Sequence, residues 1–228
     1  VITPHYNQCA ALADCLESLE AQTARGVAEI IVADNGSMDQ AGLRAVLQRF
    51  PGVILVIEPQ RGAACARNAA IARARGNVFA FIDADCIARP DWLEEGVKAL
   101  RSADLVGGDI EVTTANPRQL SSVEAFEKVF GFRQRLYVER KRFSVTANLF
   151  AKRSVVEATG PFRNGVSEDL DWCRRATALG FRLAFNATSI ISHPARRDWS
   201  ALVRKWDRLT AERWNGFEGR SPVRRLEW

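Results

Sequence analysis

The sequence predicts an α/β fold: a mostly parallel central sheet with helices on both faces, then a region of mixed order and a helical C-terminal extension. Three observations predict it. Short apolar runs at Val1-Ile2-Thr3, Ile30-Ile31-Val32-Ala33, Val53-Ile54-Leu55-Val56-Ile57 and Val78-Phe79-Ala80-Phe81-Ile82 read as strands. Helical patterns separate them, and strands joined in βαβ order run parallel. The 228 residues are 47% hydrophobic and 26% charged, which is ample material for a core.

Taken in order, residues 8–22 place Ala11, Cys15, Leu19 and Gln22 on one helical face, widened by Leu12 and Leu16. Residues 40–50 and 62–75 read as further helices, the second rich in alanine and closed by Gly76 as its C′ residue. After the strand at 78–82, Asp91 and Glu94 have the spacing of a capping box for a helix ending near Arg101. Beyond Gly107-Gly108 we expect a short strand at 110–114, a long helix over about 119–139 and a strand near Asn148-Leu149-Phe150-Ala151. A helix after Glu168-Asp169 and two strands, at 182–185 and 189–192, complete the order.

No apolar run approaches the roughly 18 residues of a membrane span, and no basic-then-apolar leader opens the chain. The chain starts inside a strand at Val1 and stops just after Val223-Arg224-Arg225-Leu226, so we read it as a piece of a longer protein, with room for a membrane segment beyond Trp228. Five cysteines, Cys9, Cys15, Cys65, Cys86 and Cys173, form no C-x-x-C pair and fit a reduced, cytoplasmic compartment. Cys86, without a histidine close in sequence, reads as a buried thiol. A net charge of +5 fits nucleotide phosphates, an anionic membrane or nucleic acid alike. No nucleic-acid recognition motif accompanies it.

Chemistry concentrates at the ends of the predicted strands, where ligands bind in parallel sheets. Asp83-Ala84-Asp85 leaves the strand at 78–82 with both carboxylates on one side of extended backbone, which suits a hard divalent cation, Mn²⁺ or Mg²⁺, carrying a diphosphate. An acidic turn is the plainer reading of the same string. Pro4-His5-Tyr6-Asn7 and Asp34-Asn35-Gly36-Ser37 follow two other strands and should converge on the same crevice. Tyr6 offers a face to a base, or a ring on the rim of the core. Asp34 is a partner for a uracil imide or a ribose, or else a turn residue capping the next helix. Arg67 sits among Ala64, Cys65, Ala66 and Ala69, where it can reach phosphate or base oxygens, against a solvated helix arginine. Glu168 and Asp169 open a helix whose dipole favours acids; the sharper assignment is Asp169 as general base, Glu168 orienting the acceptor and Asp171 in reserve. His193 closes a strand and is either a further metal ligand or a satisfied strand-end histidine.

In this order and spacing, Pro4–Asn7, Asp34–Asp39, Gly62–Asn68, Asp83–Asp85 and Ser167–Asp169 make the chain similar to family 2 glycosyltransferases over nearly residues 1–195. The resemblance implies a GT-A fold, a Rossmann-like αβα sandwich, with residues 1–110 as its nucleotide-sugar half and 111–195 as its acceptor half. It implies Tyr6 and Asp34 at the base and ribose, with Pro4, Asn7, Asn35 and Ala84 beside them, Arg67 on the nucleotide, Asp83 on the ribose and Asp85 on the metal; Asp83 and His193 are the further candidate metal ligands. Asp169 would be the base of an inverting transfer from a nucleotide sugar, UDP being favoured by resemblance alone. Processive members carry Q-x-x-R-W; the nearest string here, Val203 to Arg208, lacks the glutamine, so we expect a single-sugar transfer.

From residue 196 onward, basic residues outnumber acids and Trp199, Trp206, Trp214 and Trp228 gather. Trp199, Val203, Trp206 and Thr210 fall at helical spacing, so 196–228 reads as an amphipathic extension suited either to an anionic membrane surface or to packing on the catalytic body. With the basic cluster Arg133, Arg135, Arg140, Lys141 and Arg142, it points to a glycan or lipid-linked acceptor at the inner face of the plasma membrane. Two other readings stand beside this one. An inactive nucleotide- or glycan-binding module would not need Asp85 and Asp169 together, and a sugar-nucleotide pyrophosphorylase would carry a glycine-rich loop where Pro4-His5-Tyr6-Asn7 stands.

Overall fold

The computed structural model describes residues 1–215. Val223 to Leu226 and Trp228 lie outside the described residues. Strand β1 (Ile2–His5) leads through α1 (Cys9–Glu20) to β2 (Ile30–Asp34), then α2 (Gln40–Gln48), β3 (Val53–Ile57), α3 (Ala63–Arg73) and β4 (Val78–Ile82). A short β5 (Ile87–Ala88), α4 (Trp92–Ala99) and β6 (Leu105–Thr113) follow. The chain continues through α5 (Ser122–Phe130), α6 (Gln134–Lys141), β7 (Asn148–Lys152), α7 (Arg153–Thr159), α8 (Glu168–Ala178), β8 (Leu183–Pro194) and α9 (Trp199–Asn215).

The eight strands form one sheet in the order β3-β2-β1-β4-β7-β6-β8-β5. The first four are parallel, β7 runs antiparallel to both neighbours, β6 and β8 are parallel, and β5 pairs antiparallel with β8. Side-chain alternation divides the core between two faces. Ile30, Val32, Ala80 and Ile82 meet α1, α2 and α4 through Leu12, Leu16, Leu43 and Trp92. Ile31, Ala33, Phe79 and Phe81 meet α3, α7 and α8 through Ala64, Ala70, Val155 and Trp172. A sheet covered on both faces explains why its strands read as continuous apolar runs rather than alternating ones.

Several local expectations change. Gly76 does not end α3: Ala74 turns extended at ψ 143°, and Glu29 accepts from the Arg75 and Gly76 amides. Asp91 precedes α4 without a side-chain cap, because Glu94 reaches Thr23 Oγ1 at 2.9 Å instead of closing a capping box. The strand expected at 110–114 begins at Leu105 and includes Gly107 and Gly108. The helix expected over 119–139 is two, broken at Gly131, and the break lets Phe132 pack on the His193 ring at 4.7 Å. The two strands expected at 182–192 are one, β8, with a register shift opposite Gly108/Asp109.

Gly108 marks that irregularity. A Cβ there would lie 2.3 Å from the Ser189 carbonyl oxygen and 2.4 Å from Asn148 Nδ2. Asn148 is buried, accepting from Trp92 Nε1 at 2.8 Å and donating to the Asp109 and Ser189 carbonyls. This network fixes β8, and with it His193, against β6. Gly108→Ala is expected to destabilise the fold by about 2 kcal/mol or more, measured as a lowered midpoint in urea denaturation.

Candidate active site

Parallel pairing sets the ends of β1 and β2 side by side, with His5 opposite Asp34, and places β4 on the other side of β1. The residues expected to converge therefore leave neighbouring strands. Asp34 is fully buried and accepts from His5 Nδ1 at 2.9 Å, Ser37 Oγ at 2.5 Å, the Ser37 amide at 3.1 Å and Gln40 Nε2 at 3.0 Å. Burial opposes its ionisation, but these donors together hold it below the usual carboxylate range. Asp39, not Asp34, caps α2, accepting from the Gly42 amide.

Asn35 donates to the Glu58 and Gln60 carbonyls and accepts from the Gly62 amide, pinning the loop between β3 and α3. Asn7 adopts a left-handed φ of 54°, donates its amide to Ser37 Oγ and accepts from the Met38 amide. Pro4 lies within β1. Tyr6 is exposed, with the Arg61 guanidinium 4.4 Å from its ring centroid.

Arg67 is the junction of the site. Its alanine-rich helix packs close to the sheet, leaving the residue only 3% exposed. Nη2 donates to Asp83 at 2.8 Å and Nη1 to Glu168 at 2.9 Å, an ion pair spanning 101 residues of sequence. Burial opposes its charge, but Asp83, Glu168 and Asp169 more than compensate and raise its pKa. Arg67 Nε is buried without a partner.

Asp169 is the second residue of α8 and accepts from the Leu170 amide at 2.7 Å. Burial, then the adjacent Glu168 charge, push its carboxyl up to about 7. It faces a pocket of about 400 Å³ walled by Phe126, Phe130, Tyr137, Trp206 and Leu209, with Lys141, Lys205 and Arg213 among its lining. Helix α9 forms one wall because Glu127, buried under it, accepts from the Arg196 amide and guanidinium and from Lys205 Nζ. Asp171, the reserve base, is instead tied to Arg175 and Arg163.

On the opposite flank of Asp83, antiparallel pairing of Ile87 with Ser192 carries Cys86 and Asp85 to the end of β8. Ligand atoms of Asp85, Cys86 and His193 lie within 4.8 Å of one another. His193 Nδ1 must donate to the Pro194 carbonyl, at 2.8 Å, since a carbonyl only accepts. In the neutral ring this leaves Nε2 with its lone pair, 3.8 Å from Asp85 Oδ1. Ligating histidines ordinarily bind the metal through one nitrogen while the other donates to a carbonyl or carboxylate. Burial raises the Asp85 pKa, with His193 opposing and Asp83 reinforcing. Cys86 is buried, and its thiol is pushed well up by burial and by both carboxylates, so it stays protonated.

Sequence spacing misses the Arg67–Glu168 bridge, the contact of Cys86 with His193, the Arg61–Tyr6 stack and the lining by Lys205 and Trp206. Each joins segments far apart in the chain. The apolar-basic pattern of 199–210 was the only sequence signal for the last.

The sequence and the fold have counterparts in known proteins. Residues 1–160 match the family described as Glycosyl transferase family 2. The glycosyltransferase AglE of Haloferax volcanii is 34% identical over 219 residues, covering 92% of this chain and 70% of that protein. The uncharacterized glycosyltransferase YwdF of Bacillus subtilis is 26% identical over 174 residues, covering 75% of this chain and 64% of its own length. In fold, the mannosyltransferase PcManGT from Pyrobaculum calidifontis, solved in complex with GDP-Man and Mn²⁺, matches with a TM-score of 0.74 at 22% identity, over 97% of this chain and 65% of that one. The chain belongs to glycosyltransferase family 2, has the GT-A fold and is a glycosyltransferase.

Unfolded, Asp169 ionises near 4; folded, near 7. Between these values the folded chain binds the extra proton, so stability falls as pH rises through the interval. Asp169→Asn removes that loss. The variant's melting temperature relative to the parent is therefore expected to climb from pH 5 to pH 8.

Proposed function

We propose that the chain transfers a single sugar, with inversion, from a nucleoside diphosphate donor to the hydroxyl of a glycan or lipid-linked acceptor. The observation that carries this is the meeting of Asp83–Asp85 with Glu168–Asp169 across one buried arginine, beside an apolar pocket. The donor half of that arrangement is the crevice at the ends of β1, β2 and β4. Tyr6, with Pro4, Asn7, Asn35 and Ala84 around it, frames the base and ribose, and UDP is the favoured nucleotide. Asp34 and Arg67 already hold protein partners, so they shape the nucleotide site from beneath while Asp83 reaches the ribose.

Asp85, Asp83 and His193 would hold the divalent cation, Mn²⁺ or Mg²⁺, with two carboxylates and an imidazole lone pair matched to such an ion. When bound, it neutralises charge on the diphosphate. Asp169, on the far side of the sugar, takes the acceptor hydroxyl proton as that oxygen bonds to the anomeric carbon. The bond from that carbon to the diphosphate oxygen breaks, its electron pair leaving with the nucleotide, and one displacement inverts the centre. A base with pKa near 7 suits this task at neutral pH. Glu168, held by Arg67, makes Asp169 a stronger base through its neighbouring negative charge and orients the acceptor.

A second observation favours peripheral contact with an anionic membrane from the cytoplasmic side. Trp199, Val203, Trp206 and Trp214 of α9 are exposed, with Val129 and Phe130 of α5, beside Arg204 and Arg208. Among the described residues no helix is long and apolar enough to cross a membrane. Trp and basic side chains suit the bilayer interface.

Calorimetric titration of UDP, GDP and dTDP with Mn²⁺ or EDTA tests the donor site. One nucleotide should bind in a metal-dependent way, weakened about tenfold or more by Asp85→Ala. Binding that ignores both metal and substitution would contradict the assignment. Asp169→Asn should retain that binding while its transfer rate falls by about 100-fold or more, read by the rate of nucleotide release.

A further inference from the structure

The transfer chemistry leaves one group of charges unused. The last turn of α6 presents Arg140 and Lys141, followed by Arg142, and Arg174 of α8 faces them across a cavity of about 470 Å³ completed by Thr177 and Ala178. Among the described residues no carboxylate lines this cavity. Among the described residues, Arg140, Lys141 and Arg142 take part in no ion pair. A helix C-terminus favours cations, but Arg140, Lys141 and Arg142 stand side by side in sequence and repel one another. Arg142 moreover stands at φ 56°, in the left-handed region where a helix end ordinarily carries glycine. The chain thus keeps a large cation where glycine would be less strained.

The second observation is position. Lys141 lines both this cavity and the pocket that holds Asp169, and its ammonium lies 5.5 Å from the Tyr137 ring centroid in that pocket. The two spaces therefore adjoin, with the base in one and the cations in the other. Asp83 and Asp85 line neither, so the donor diphosphate is not the anion in question.

We propose that this cleft binds a phosphate group carried by the acceptor, holding it while the acceptor hydroxyl lies at Asp169. This rests on the transferase reading and narrows its acceptor to a phosphorylated molecule. Guanidinium groups match phosphate oxygens in paired hydrogen bonds, and Lys141 adds a point charge at the boundary with the catalytic pocket.

The test is a titration of inorganic pyrophosphate into the protein in EDTA, followed by amide-resolved NMR. Resonances of residues 140–142 and 174–178 should shift. In Arg140→Gln/Arg142→Asn, two exposed positions with asparagine tolerating the left-handed backbone, the affinity should fall about tenfold or more. Metal-dependent nucleotide binding should be unchanged in that variant. Shifts confined to residues 83–85, or an affinity indifferent to the double substitution, would overturn the proposal. So would shifts produced by phosphatidylcholine–phosphatidylglycerol vesicles but not by pyrophosphate, which would assign the cleft to a membrane surface. If the parent protein binds no nucleotide with metal, it is the transferase reading that fails; if nucleotide binds and pyrophosphate does not, only this inference fails.

Discussion

A single buried guanidinium holds the two carboxylate clusters of this molecule together. Arg67 donates to Asp83 after β4 and to Glu168 at the start of α8, so neither carboxylate is free to take another place. Removing one partner of a buried ion pair typically costs about 3–5 kcal/mol, because the remaining charges are left uncompensated. One positive charge is nevertheless set among three acids, Asp83, Glu168 and Asp169. The third cannot be fully neutralised. Burial and the Glu168 charge raise the Asp169 pKa, and Arg67 offsets only part of that rise.

The same economy appears on the other flank. The β5–β8 pairing brings His193 to Asp85, the Pro194 carbonyl fixes the imidazole tautomer, and Phe132 supports the ring. Asn148 and Gly108 set the register that makes this possible. Structural groups remote from the crevice therefore determine whether an imidazole nitrogen faces a carboxylate. Helix α9 performs the corresponding service for the pocket at Asp169, docked by the buried Glu127 under Arg196 and Lys205.

Much of this was legible in the sequence. The βαβ order and the carboxylates at strand ends follow from apolar periodicity and its interruptions, because a sheet buried on both faces writes its strands as plain apolar runs. Asp85, Arg67 and Asp169 could be singled out for the same reason, being charged groups beside segments that must be buried. What could not be read were partnerships across the chain. Asp34 is surrounded by His5, Ser37 and Gln40, and Cys86 meets His193, through sheet register alone. Helix ends near Gly76, Glu94 and Gly131 depart from local capping preference because tertiary contacts outweigh it.

The central claim is that Arg67 couples the two carboxylate clusters directly. A double-mutant cycle in denaturant, using Arg67→Met, Glu168→Gln and the pair together, measures that coupling. The account predicts an interaction energy of about 1–3 kcal/mol. Effects that add to within about 0.5 kcal/mol would contradict it, and would make the two clusters independent features of the fold.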